Sequence, residues 1–178
     1  MRRLALASLA LAALTLPLAA QGGGPLRTPD MQYRYDYPLT LAKARAWLKL
    51  YQRDSPVRAD TSMRNAILRA DRIVEQGSNV LPSQGVRLDR HPKLGPLLKQ
   101  AGLSGAEYLA MPEIMANARV GYRVELEGKT YDRQLINPAH VALYKANAAE
   151  FEAAVNKLRG APAPPRVGSP RPDAELPR

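Results

Sequence analysis

The chain contains 178 residues, of which 26 are Lys or Arg and 16 are Asp or Glu, giving a formal net charge of +10 at pH 7. It contains no cysteine, which excludes disulfide bonds, thiolate metal sites and an acyl-modified cysteine from this sequence. The length between its terminal segments suits one domain with a single hydrophobic core.

The first 20 residues have the pattern of a secretory signal peptide. Arg2 and Arg3 precede an uncharged apolar run over 4–16 and a small-residue stretch at 18–20. The run is shorter than the roughly 20 residues that cross a bilayer, so we expect no transmembrane segment in the mature chain. We predict cleavage after Ala20 and a periplasmic or secreted location, with a retained N-terminal anchor as the alternative. Cleavage would lower the formal charge to +8.

Residues 21–37 are predicted to be a flexible lead-in, because they include three consecutive glycines and two prolines. If extended, this segment would align Tyr33, Tyr35 and Tyr37 on one face. We interpret these tyrosines as a strap across a helical bundle, and a stacking strip for a sugar or a base is the alternative.

A first helix is predicted from a Thr40 cap to about Arg53, since apolar residues recur there every three or four positions. Arg45, Lys49 and Arg53 follow one another at four-residue spacing with Trp47 beside them. Like charges at this spacing repel, and a bound anion would relieve the repulsion. These four residues form a candidate patch for a polyanion, with an ordinary solvated face as the alternative.

A second helix is predicted from Asp60 or Thr61 to a stop at Gly77. Residues 78–89 are predicted to be a loop, because a proline and a glycine interrupt them and no apolar periodicity is sustained.

The most clearly defined feature of the sequence is a corner between two helices. One of these helices begins near His91 and Pro92, and Gly102 predicts its end. Ser104 and Glu107 have the spacing of a capping box for the second helix. Leu103 and Tyr108 flank that cap as a hydrophobic staple.

Pro112 falls inside the helix that begins at this corner. A proline there removes a backbone hydrogen bond and costs about 3 kcal/mol. We therefore expect a kink or a restart at Pro112 and a groove beside it. Tyr108, Pro112 and Met115 are the candidate ligand-binding residues.

Residues 120–135 fit two structures. Apolar and charged residues alternate from Val120 to Glu127, and Gly128 offers a turn, which is typical of a short β-hairpin. A helix continued to Glu127 fits the apolar spacing equally well.

A final helix is predicted from an Asn137 cap, with Pro138 at its first position, to a stop at Gly160. Residues 161–178 include six prolines and are predicted to be disordered. The predicted fold is therefore all-α, a small bundle of about five helices over residues 38–160 with the hairpin or helix extension at 120–135.

The sequence offers no catalytic or metal-ligating set. Its two histidines, His91 and His140, are 49 residues apart and have no cysteine to join them. We interpret both as polar groups near helix starts. We predict no metal, no cofactor and no catalytic residue, since Ser104 and Glu107 are accounted for by capping.

The corner reads Gly102-Leu103-Ser104-x-x-Glu107-Tyr108, and about 30 residues later a helix start reads Pro138-Ala139-His140-Val141-Ala142-Leu143-x-x-x-Asn147. Together these motifs resemble those of a family of small exported bacterial helical proteins without an established activity. The chain departs from the family pattern at His140, where asparagine is usual, at Leu143, where phenylalanine is usual, and in having Pro112. The resemblance implies a helical fold and an exported location, and it implies no catalytic residue.

These features favour a noncatalytic exported binding or interaction protein of the cell envelope. Its partner would be another envelope protein or an anionic envelope polymer. Nucleic acid is not expected, because the basic residues match no nucleic-acid-binding motif. One alternative is polyanion binding through the basic patch. Another is an exported hydrolase that uses carboxylates from separate helices, chosen among Glu107, Glu113, Glu125 and Glu150.

Overall fold

The computed structural model describes residues 27–77 and 79–159. These residues form an all-helical bundle, as predicted, with nine helices in place of about five: α1 (Pro29–Asp36), α2 (Leu41–Tyr51), α3 (Pro56–Ala59), α4 (Thr61–Gln76), α5 (Leu81–Asp89), α6 (Leu94–Gln100), α7 (Gly105–Leu126), α8 (Pro138–Ala146) and α9 (Ala148–Arg159). None of these helices is long and apolar enough to cross a membrane. The predicted leader at 1–20 and the predicted disordered tail at 161–178 lie outside the described residues.

The longest helix, α7, lies at the centre of the bundle and packs most extensively against α5 and α8. Its start is the predicted corner. The Ser104 hydroxyl accepts a hydrogen bond from the Glu107 amide at 3.2 Å, and the Ser104 amide donates to the Glu107 carboxylate at 2.7 Å. The capping box is therefore confirmed. Ahead of it, Gly102 has φ +68°, and the Leu103 amide donates to the Leu98 carbonyl at 3.0 Å, which completes a Schellman stop for α6.

The stretch from residue 120 onwards extends α7 to Leu126, so the helix extension is right there and the hairpin is wrong. Gly128 has φ +69°, and the Lys129 amide donates to the Val124 carbonyl at 3.1 Å. Gly128 thus provides a second Schellman stop in the place of the predicted hairpin turn. The helix also continues through Pro112 without the predicted restart.

Helix α5 occupies most of the stretch that was predicted to be a loop. Its proline, Pro82, lies in the first turn, where its missing amide hydrogen costs nothing. Its glycine lies against α7: a Cβ on Gly85 would come within 2.4 Å of the Ala106 nitrogen, and one on Gly105 within 2.2 Å of the Gly85 oxygen. Gly85 is therefore a packing residue and does not break the helix.

The start of α5 is capped from another helix. No side chain of its own N-cap residue caps it, and the buried carboxylate of Asp30 in α1 accepts hydrogen bonds from the amides of Val80 and Leu81 at 3.0 and 3.2 Å. At the other end of α5, the Asp89 carboxylate accepts from the Gly105 amide at 2.7 Å. Two carboxylates thus join three helices through backbone amides.

Residues 29–36 of the predicted flexible lead-in form helix α1, which is capped by Thr28 and has Pro29 at its first position. The helix separates Tyr33 from Tyr35, so the predicted alignment of the tyrosines on one face is wrong. The segment does lie across the bundle as a strap: Tyr37 is buried, and its carbonyl oxygen accepts from His140 Nε2 at 2.7 Å.

The predicted final helix is interrupted once. Asn147, with φ −126°, separates α8 from α9, and its amide donates to the Tyr144 carbonyl at 3.1 Å. One apolar face continues across the break, because Val141, Tyr144 and Phe151 are all buried.

Replacing Asp30 by alanine removes the cap of α5 and leaves two amide groups without an acceptor. We expect D30A to lower the free energy of unfolding by about 2 kcal/mol, measured by urea denaturation. D36A is the control, since the exposed Asp36 accepts only from Gln32 among the described residues. Equal losses in the two variants would contradict the capping role.

Replacing Gly85 by alanine forces α5 away from α7. We expect G85A to destabilise the protein by about 3 kcal/mol, because backbone atoms lie where the methyl group must go. The exposed Ser83 of the same helix supplies the control, and S83A should change stability by less than about 0.5 kcal/mol. A stabilised G85A, as helix propensity alone would give, would contradict this packing.

Candidate ligand-binding groove

A groove of about 420 Å³ lies between α2, α7 and α9. Its volume is typical of small-molecule sites, which span about 300–1,000 Å³. Its walls are mainly aromatic and aliphatic, and include Trp47, Tyr51, Pro112, Met115, Phe151 and Leu158. We refer to this site as the groove.

The α2 wall of the groove is an aromatic pair. Trp47 and Tyr51 are four residues apart on the helix, and their rings stack with centroids 4.6 Å apart. Trp47 is 5% exposed, and its indole N–H has no hydrogen-bond acceptor among the described residues. A buried donor of this kind is costly unless an oxygen is brought to it.

The α9 wall is positioned by Phe151. Its ring is buried and lies 5.2 Å from the ring of Tyr144 at the end of α8. Val155 and Leu158 follow one and two turns later and continue this wall, and Val120 and Val124 of α7 line the same groove.

A charged cluster borders the groove between α7 and α9. The Glu152 carboxylate accepts from Arg119 Nε and Nη2, both at 2.9 Å, and from Arg123 Nη2 at 2.8 Å. The Tyr144 hydroxyl also donates to it at 3.2 Å. These donors, first among them Arg119, lower the pKa of Glu152 to about 2. Burial, with the Glu152 charge, raises the pKa of Tyr144 to about 12.

The three predicted ligand-binding residues fall into two places. Pro112 and Met115 line the groove, whereas Tyr108 is buried and lines a smaller depression of about 140 Å³ with Arg58 and Asp71. Burial is the main cause that raises the pKa of Tyr108 well above its usual value. That Pro112 and Met115 bind a ligand remains a prediction.

The predicted basic patch is separated from Trp47: Arg45 and Lys49 line a second depression beside α9, whereas Trp47 lines the groove. Polyanion binding by this patch remains a prediction. Arg45 makes a bidentate pair with Glu150 of α9, with its Nε and Nη2 at 2.9 and 2.7 Å from the two oxygens. Trp47 is buried in the groove wall, because residues two positions apart lie on opposite sides of a helix. Lys49 and Arg53 are exposed and make no ion pair within the part of the chain that the structure describes.

The four carboxylates considered for hydrolysis each pair with a different cation. Glu107 contacts Lys43, Glu113 lies 3.1 Å from Arg34, Glu125 lies 3.0 Å from Lys145, and Glu150 pairs with Arg45. None of the four lines the groove. Over residues 27–77 and 79–159, no group of three or more His, Asp or Glu side chains is placed to hold a metal ion.

Both histidines lie at helix starts, as interpreted from the sequence. His91 Nδ1 accepts from the Leu94 amide of α6 at 3.2 Å, and its Nε2 lies 3.1 Å from the Ser62 hydroxyl. His140 lies in the first turn of α8 and bonds the Tyr37 carbonyl. Burial lowers the pKa of His140 below its usual value, and the neutral ring with its proton on Nε2 satisfies this bond.

Comparison with protein-family models, curated proteins and solved structures gave no match. The resemblance of two motifs therefore contributes only a helical fold, which the structure shows, and an exported location, which stays a prediction.

Sequence reasoning missed the charged border of the groove and the role of Trp47 in its wall. The spacing of Arg119 and Arg123, four residues apart on α7, was a usable signal for a shared partner. Nothing local marks Glu152 as that partner, since it lies 29 residues beyond Arg123.

The pKa of Asp71 is raised from 3.8 to about 6, mainly by burial and further by the charge of Glu75. The folded protein therefore binds this proton more tightly than the unfolded chain, so stability falls as the pH rises from about 4 to 6 and stays reduced above that range. We expect D71N to raise the free energy of unfolding by about 1 kcal/mol at pH 7.5, with the gain lost near pH 3.5.

Urea denaturation at the two pH values measures this difference. E75Q is the matched control: it leaves Asp71 buried and removes only the neighbouring charge, so its gain at pH 7.5 should be smaller. A gain in D71N that is equal at both pH values would contradict the assignment to ionisation.

Proposed function

We propose that the protein is a noncatalytic, exported binding protein of the cell envelope whose groove holds the hydrocarbon chain of an amphiphilic molecule. The observation that carries this proposal is the groove itself, about 420 Å³ of space walled by aromatic and aliphatic side chains from three helices. Export rests on the signal-peptide pattern of residues 1–20.

The walls favour a hydrocarbon occupant. Val120 lines the groove together with the buried Met115 and Phe151, yet 51% of its own surface remains exposed to solvent. Covering such surface stabilises a complex by about 25 cal/mol per Å² of apolar area removed from water. A hydrocarbon chain would do so without leaving a polar group of its own unpaired against the walls.

A binding role is favoured over a catalytic one by the placement of the acidic groups. The candidate carboxylates are engaged by separate cations and lie outside the groove lining. At the border of the groove, two guanidinium groups keep Glu152 ionised. A carboxylate held in this form can make an ion pair but is poorly suited to act as a general acid.

The single tryptophan of the chain, Trp47, lies in the groove wall and provides a direct readout of occupancy. We expect octanol, decanol and dodecanol to shift its emission, with affinity increasing about fourfold for each added CH₂. A116F should abolish the shift, because Ala116 lines the groove and a phenyl ring there would obstruct the path of the chain.

A149F is the matched control, since Ala149 is exposed on α9 and lies outside the groove lining. It should bind the alcohols like the unmodified protein. Absence of any shift, or an equal loss in A116F and A149F, would refute the groove as a hydrocarbon site.

A further inference from the structure

We infer that the occupant of the groove is a free, single-chain amphiphile with an anionic head group, such as a carboxylate, and that Arg123 with Arg119 binds that head group. This inference rests on the proposed function, because it names the ligand class of the same groove.

The first support is the balance of charge at the border of the groove. Two guanidinium groups, those of Arg119 and Arg123, face the one carboxylate of Glu152. Glu152 itself is not in the lining, and the acid that does line the groove, Glu127, pairs with Lys129 at 2.7 Å. The border therefore carries an excess of positive charge next to an apolar cavity, which complements an anion attached to a hydrocarbon chain.

The second support is the unequal use of the two arginines. Arg119 is 22% exposed and spends Nε and Nη2 on Glu152. Arg123 is 51% exposed and makes one hydrogen bond to a described residue, through Nη2. Its remaining N–H groups are donors that a carboxylate can accept from, with the charge-assisted strength that guanidinium groups provide.

The burial of the aromatic rings in the groove wall favours a free amphiphile over a bilayer surface. Trp47 and Phe151 are 5% and 1% exposed, so they do not project far enough to enter a membrane. Their recessed position leaves room for a single chain to enter the groove, with its head group at the Arg123 border.

The test compares dodecanoate, dodecanol and dodecyltrimethylammonium at pH 7.5, all below their micelle concentrations, with Trp47 emission as the readout. We expect dodecanoate to bind about tenfold more tightly than dodecanol, and the cationic amphiphile to bind most weakly. Raising the salt concentration should weaken dodecanoate binding and leave dodecanol binding unchanged.

Two variants locate the head group. R123Q should reduce the affinity for dodecanoate about tenfold and the affinity for dodecanol much less, because the alcohol carries no charge for the guanidinium group to bind. R72Q is the matched control, because Arg72 is exposed on α4 and lies outside the groove lining. It should leave both affinities unchanged.

The outcomes separate this inference from the proposed function. If dodecanol binds and dodecanoate binds no more tightly, or R123Q and R72Q act alike, the head-group assignment is wrong and the groove remains a hydrocarbon site. If no amphiphile shifts Trp47 emission, the proposed function is wrong. Binding to phosphatidylglycerol vesicles without binding of monomeric dodecanoate would overturn the inference in favour of a membrane surface.

Discussion

The close contact between Gly85 of α5 and Gly105 at the start of α7 is the constraint on which the rest of the bundle depends. A side chain at either position would overlap backbone atoms of the other helix, so the two helices meet at a distance that only glycine permits. Asp89 adds a hydrogen bond from its carboxylate to the Gly105 amide. Because α7 is the central helix, fixing its start fixes the surface against which α8 packs and the groove forms.

The strap formed by α1 depends on buried polar contacts that are satisfied across long stretches of chain. Asp30 caps α5, and His140 bonds the carbonyl of Tyr37. Each contact pairs a backbone amide or carbonyl group at the end of a helix, where the helix itself provides no partner. Burial of Asp30 and His140 therefore carries little penalty. Removing Asp30 would leave the two amides at the start of α5 without an acceptor, whereas the Tyr37 carbonyl also accepts from the Leu39 amide at 2.8 Å. Such contacts fix where α1 lies, which its short apolar pattern does not.

The features that the sequence predicts correctly are those whose causes are local. The Ser104 capping box and the Gly102 stop depend on residues within one turn, and they appear as expected. Helix α5 could not be predicted from its own residues, because its cap comes from Asp30 and its glycine is required by Gly105. The groove was anticipated only at Pro112 and Met115. Its other two walls come from helices distant in sequence, and no local pattern joins them.

The groove beside α7 is kept open by the way α9 is anchored. Helix α9 is anchored by the buried ring of Phe151, and the acids on either side of it reach different helices: Glu150 pairs with Arg45 of α2, and Glu152 with Arg119 of α7. Two ion pairs to separate helices hold α9 across the gap between them instead of letting it close against one. Val155 and Leu158, beyond this anchor, then face space in place of a packed core. Arg45, which the sequence places in a candidate polyanion patch, thus helps to hold an apolar cavity open.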